Sequence, residues 1–182
     1  MAKFSSELSP SMSDFISAQK MFFTASAPSE GGRINLSPKA MDTFRIFDNK
    51  KVAYLDLTGS GNETSAHVTD NGRLTIMFCS FTDQPLILRL YGKGEIITPQ
   101  HPDWQMHLSH FKLLSGTRQI ILLHIESVQS SCGFAIPYFK YEGERDDLLQ
   151  WSNKKGEDGI RQYWKDKNQK SIDDLPAHPL SD

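Results

Sequence analysis

Apolar runs rich in β-formers stand too close together for helices to pass between them. Leu74-Thr75-Ile76-Met77-Phe78-Cys79-Ser80-Phe81 is separated from Leu86-Ile87-Leu88-Arg89-Leu90-Tyr91 by a turn containing Asp83-Gln84-Pro85. A parallel crossover needs a dozen or more residues, so runs spaced like these pair antiparallel. Val52–Leu57 and Gln119–Glu126 read as further strands, and Gly92-Lys93-Gly94 bends the Leu86 run before Glu95-Ile96-Ile97 continues it. Met21–Ala27 and Arg33–Ser37 form a hairpin around Pro28–Gly32, where Gly31-Gly32 supplies the permissive dihedrals. Phe44–Phe47 is short and apolar, and Gly133–Tyr141 reads as a strand interrupted at Pro137. The reading is mainly β: at least six strands in an antiparallel barrel decorated with helices.

Helical signals fall at the turns and ends. Ser13-Asp14 can cap a helix carrying Phe15, Ile16, Ala18 and Met21. Glu63–Asp70 is helix-compatible and stops at Asn71-Gly72, and His101–Leu114 reads as a helix with Pro102 in its first turn. From Arg145 onward the pattern is helical and charged, with Leu148, Leu149, Trp151, Ile160, Tyr163 and Trp164 as anchors. A chain of 182 residues forms one domain, 1–182, with 1–12 and 176–182 expected to be loose. Lys plus Arg numbers 20 against 22 Asp plus Glu, which argues against a general nucleic-acid binder. No run approaches the roughly 18 apolar residues of a membrane span, no secretory signal is visible, and two cysteines are too few for a disulfide framework. The expectation is a cytoplasmic protein.

The segment richest in chemistry is Leu57-Thr58-Gly59-Ser60-Gly61-Asn62-Glu63-Thr64-Ser65, in which a strand enters a Gly-rich turn and then a helix. Free backbone N–H groups at such a helix start attract phosphate, although a Gly-rich turn with Asn62 as an ordinary cap gives the same pattern. Lys39, at the end of the Arg33 strand, gains meaning only if it converges on that turn. His101, His107 and His110 read as surface or interface histidines, Cys132 as a small semi-buried residue, and Cys79 as core.

Three stretches together resemble the pyridoxamine 5'-phosphate oxidase-related family of FMN-binding split barrels: Arg33–Lys39, Ala53–Thr64 and Gly72–Phe78. Leu86–Tyr91 before Gly92-Lys93-Gly94, and Ser131-Cys132-Gly133 before Pro137, extend the likeness over roughly residues 14 to 175. The resemblance implies a six-stranded antiparallel split barrel that forms a homodimer, with FMN in a cleft at the interface, and a small-molecule electron donor or acceptor. It places Asn62, Glu63 and Thr64 at the phosphate, behind the Gly61 turn, with Lys39 as the basic phosphate ligand. Ser37 and Thr58 would approach the ring or ribityl chain, and the backbone of Leu57 and Thr58 the flavin's pyrimidine edge. Two departures stand out. The oxidase has basic residues where this chain has Asn62-Glu63-Thr64, and it ends in a basic, His-containing segment where this chain has Ser171–His178. The expectation is therefore an FMN-binding oxidoreductase-like protein that does not oxidise pyridoxamine 5'-phosphate, with no catalytic residue assigned. The alternatives are a flavin carrier or sensor, a haem- or deazaflavin-binding protein, and a cofactor-free dimer of the same fold. A haem would need His124 or the His107–His110 pair to face the cleft.

Overall fold

The computed structural model describes residues 2–180. The chain runs β1 (Lys3–Ser5), α1 (Pro10–Ala18), β2 (Phe22–Ser26), β3 (Asn35–Lys39), β4 (Phe44–Ile46), β5 (Lys51–Leu57) and α2 (Glu63–Asn71). It continues as β6 (Arg73–Cys79), β7 (Leu86–Ile97), α3 (Trp104–Leu108), β8 (Thr117–Cys132) and α4 (Asp147–Lys167). The strands form one sheet in the order β3-β2-β6-β7-β8-β5-β4, with β1 on β8. Every pairing is antiparallel. The sheet is the split barrel the sequence implies, with eight strands instead of six.

The edges of this sheet are consecutive in sequence. β3 ends at Lys39 and β4 begins at Phe44. Flat, seven strands would put their edges about 29 Å apart, whereas the connector reaches at most about 17 Å. The sheet must therefore curl. Phe44 closes the gap by packing edge-on to Phe22 and Phe78, with centroids 5.1 and 4.9 Å away. Tyr54 joins the same cluster, 5.6 Å from Phe22.

β8 is the spine. Its first half pairs with β5, its second half with β1, and nearly its whole length with β7. The bend expected at Gly92 is a bulge in the β7–β8 register between Tyr91 and Gly92. The backbone passes so close there that a Cβ on Gly92 would lie 1.9 Å from the His124 carbonyl oxygen. α2 stops where its sequence says it should. Gly72 takes φ 72° and donates its N–H to Val68 O at 2.9 Å.

Three expected elements differ. α1 is capped by Ser9, not Ser13-Asp14, and ends at Ala18, short of Met21. The helix over His101–Leu114 shrinks to Trp104–Leu108, and Phe111 beyond it folds back as core instead of extending the spiral. Gly133–Tyr141 is not a strand. Pro137 has no N–H to give a ladder, and Phe134, Tyr138, Phe139 and Tyr141 stay exposed. Within the terminal segments, Lys3–Ser5 pairs with Val128–Ser130, and Ala177 and Leu180 are buried. No helix of the described residues is long and apolar enough to cross a membrane.

Candidate functional site

The curl of the sheet brings the end of β3, the end of β5, the start of α2 and the root of β8 around one cavity of about 830 Å³. Lys170, Ser171 and Ile172, from the arm after α4, complete its wall.

An acidic residue lies at the base of this wall. Asp56 belongs to a buried strand and is only 2% exposed. Its Oδ1 accepts from Lys39 Nζ at 2.8 Å, and its Oδ2 from Arg118 Nε and Gln119 Nε2, both at 2.7 Å. Burial alone would push this carboxyl up. The Arg118 guanidinium and the Lys39 ammonium overcome that and hold it well below the usual carboxylate range. Two cations thus share one anion. The cluster carries one positive charge in excess, and the partly exposed Lys39 presents it to the cavity. Arg118 also donates to Gly61 O and Asn168 Oδ1, each at 2.9 Å, and so fastens the turn and the arm to the same group.

The start of α2 is uncapped by side chains. Asn62 stands at the cap position, but its side chain makes no cap hydrogen bond. Its Oδ1 accepts from Gln119 Nε2 at 2.8 Å and its Nδ2 donates to Asn168 O at 3.2 Å. Among the described residues, no side-chain hydrogen bond reaches the first-turn N–H groups, at the positive end of the helix. The Glu63 carboxylate turns away to the arm, where both oxygens accept the Ile172 N–H at 3.0 and 3.1 Å.

Of the residues singled out from sequence, Ser37, Lys39, Leu57, Gly61, Glu63 and Thr64 line the cavity. Ser37 donates to Asn35 Oδ1 at 3.0 Å, and Asn35 in turn donates to Thr64 Oγ1 at 3.0 Å, so the hydroxyls of β3 and α2 form one chain along the wall. Thr58 and Asn62 are drawn behind the wall, each 1% exposed. Thr58 donates both its N–H and its hydroxyl to Gly116 O, at 2.8 and 2.7 Å, and accepts from Trp164 Nε1 at 2.8 Å. Its donors are therefore spent on the residue before β8, and its hydroxyl oxygen accepts from α4. Sequence reasoning missed Asp56, Arg118, Gln119 and Asn168. A charge inside the apolar run Val52–Leu57 was the available signal for Asp56. His107, His110 and His124 do not line the cavity: the two former pack on Phe47, and His124 pairs with Glu95.

Residues 8–132 match the family model described as pyridoxamine 5'-phosphate oxidase. A curated relative, the pyridoxamine 5'-phosphate oxidase family protein ustO of Aspergillus flavus, is 43% identical over 141 residues. That alignment covers 75% of this chain and 57% of the relative, so the chain spans little more than half of its length. Among solved structures, HupZ of Group A Streptococcus superposes with a TM-score of 0.52 at 22% identity, covering 66% of this chain and 91% of HupZ. A pyridoxamine 5'-phosphate oxidase-related, FMN-binding protein of Nostoc punctiforme gives 0.50 at 12% identity, covering 68% of this chain and 84% of that one. At such identities these two structures speak for the fold.

Proposed function

Because this chain belongs to the pyridoxamine 5'-phosphate oxidase family, we infer that it binds a flavin, FMN, in the cavity between β3, β5, α2 and the arm. The observation that carries the reading is the uncapped start of α2 beside the Lys39–Asp56–Arg118 cluster. Backbone donors at a positive helix end next to a surplus cation form a site for a phosphate monoester. Lys39 and the N–H groups of Glu63 and Thr64 would hold the phosphate. Ser37 and Leu57 would face the rest of the cofactor, while Thr58 and Asn62 support the wall from behind. The donor set fits the group.

Bound there, a flavin would supply hydride and electron transfer between a small-molecule donor and acceptor. The chain's own part is to hold the phosphate, orient the ring and exclude water. Asp56 and Glu63 are already bonded, and neither is a free acid or base. That commitment favours, as a second reading, a flavin carrier without turnover.

The family resemblance implies a homodimer. Its support here is apolar surface on the cavity wall: Ile34, just before β3, and Leu36, in β3 at the free edge of the sheet, are 78% and 65% exposed. Cys79 and Cys132 are unpaired, which is in keeping with a reducing, cytoplasmic setting.

The test is an absorbance spectrum of the purified chain after it is loaded with FMN and desalted. Visible flavin bands at one equivalent per chain support the reading. A colourless protein overturns it. Turnover with reduced nicotinamide donors then separates oxidoreductase from carrier.

A further inference from the structure

The family match ends at residue 132, yet one wall of the cavity is built from residues 166–172. What these residues do for a ligand is therefore not shared through the matched segment. The arm is an ordered turn. Ser171 Oγ accepts the N–H groups of Asp173 and Leu175 at 3.2 and 3.1 Å, and Ser171 N–H donates to Leu175 O at 2.8 Å.

Besides the Asn168 side chain, which accepts from Arg118 and donates to Gly59 O at 3.2 Å, four attachments among the described residues hold the arm across the cavity. Three fall on the start of α2: Asn62 to the Asn168 carbonyl, Glu63 to the Ile172 N–H, and Ser65 Oγ accepting the His178 N–H at 3.1 Å. The fourth reaches the opposite wall, where Asp173 accepts the Arg33 N–H at 2.6 Å and pairs with the Arg33 guanidinium. The two ends differ from the middle. Asn168 is fully buried and Ala177 is 7% exposed; in the middle only Ser171, at 6%, is buried, and its hydroxyl is bonded within the arm's own turn, while Ile172 is 67% exposed and its hold is a polar contact at the surface. Segments with few buried apolar contacts open well below the cost of global unfolding. The middle can lift while both ends stay fixed.

We propose that residues 169–174 are a strap that determines which phosphate-bearing ligand the cavity accepts and how long it is held, with Glu63 as the positioning residue that fastens it. The ligand class rests on the flavin reading above; the strap itself does not. Glu63 then acts through the Ile172 N–H, and its charge is directed to the arm and away from the helix donors.

The experiment uses the full chain, trypsin as the probe of the strap (it cleaves after Lys167 and Lys170), and FMN as the ligand. Glu63→Ala removes the acceptor and Asp173→Ala releases the opposite wall without touching α2. Each should speed cleavage in the arm about tenfold, the scale of one lost charge-assisted hydrogen bond, while far-ultraviolet circular dichroism is unchanged. Glu63→Gln keeps an acceptor oxygen and should restore protection. Loaded Glu63→Ala should also lose FMN faster than the wild type. Equal cleavage of all variants overturns the strap. So does tighter FMN retention by Glu63→Ala, which would make Glu63 a repelling charge at the phosphate. If the wild type binds no FMN, the flavin reading falls and the cleavage series alone decides the strap.

Discussion

Asp56 is shared by Lys39, Arg118 and Gln119, and its loss would strand Arg118, a guanidinium only about one-twentieth exposed. Removing one member of a buried ion pair typically costs about 3 kcal/mol, so Asp56→Asn should lower stability by that order in urea titrations near neutral pH. The pH dependence has a definite sign. Because the folded carboxyl titrates below its ordinary value of 3.8, its stabilisation is complete above that value and is lost as pH falls towards the folded one. The variant should therefore show a flatter decline than the wild type between about pH 5 and about pH 2. Lys39→Ala leaves Asp56 with Arg118 and so should spare the fold. It should weaken FMN about tenfold, as one charge-assisted contact would, read by flavin fluorescence. Lys39 and Glu63 were legible because each sits next to a turn signal. Arg118 and Asn168 were not. Their place beside Asp56 depends on the pairing of Asp56 with Gln119 across strands and on the return of the arm after α4, neither of which a local pattern encodes.

Elements whose signals are local matched their expected places. β2, β5, β6 and α2 fall within a residue or two of their apolar runs and stop residues, because alternation and a glycine cap act over a few positions. Elements decided by pairing did not. β1, in a segment expected to be loose, is three residues long and exists only because β8 offers it a partner; the equally short β4 does fall on the apolar run Phe44–Phe47, with β5 as its partner. Gly133–Tyr141 has the composition of a strand but lacks a partner edge and carries Pro137. The bulge at Gly92 belongs to this scale. A methyl group there would press on the His124 carbonyl, part of the spine's own backbone, which cannot rotate away as a side chain would. Overpacking costs about 1–3 kcal/mol and occasionally more, so Gly92→Ala should lower the thermal midpoint by several degrees, measured by circular dichroism. Gly31, which has open space around its Cβ position, makes the contrasting variant; only its φ of 59° resists alanine there.

At the scale of the molecule, the exposed aromatic segment and the apolar free edge of β3 lie on a chain of 20.6 kDa with little net charge. Light scattering after gel filtration should give twice the chain mass. Ile34→Lys with Leu36→Lys, two charges on that edge, should shift it to the monomer if the edge is the contact. The spine has a consequence of a different kind. β8 is the last strand made, yet β1, β5 and β7 all wait for it, and the arm that closes the wall comes later still. On a ribosome, β1 would leave the exit tunnel long before its partner, and although β3-β2-β6-β7 and β4-β5 can already pair, β5 and β7 would each present an open edge until β8 arrives. The nascent chain therefore depends on whatever shields those edges during synthesis, and slow translation before β8 would lengthen its exposure to aggregation.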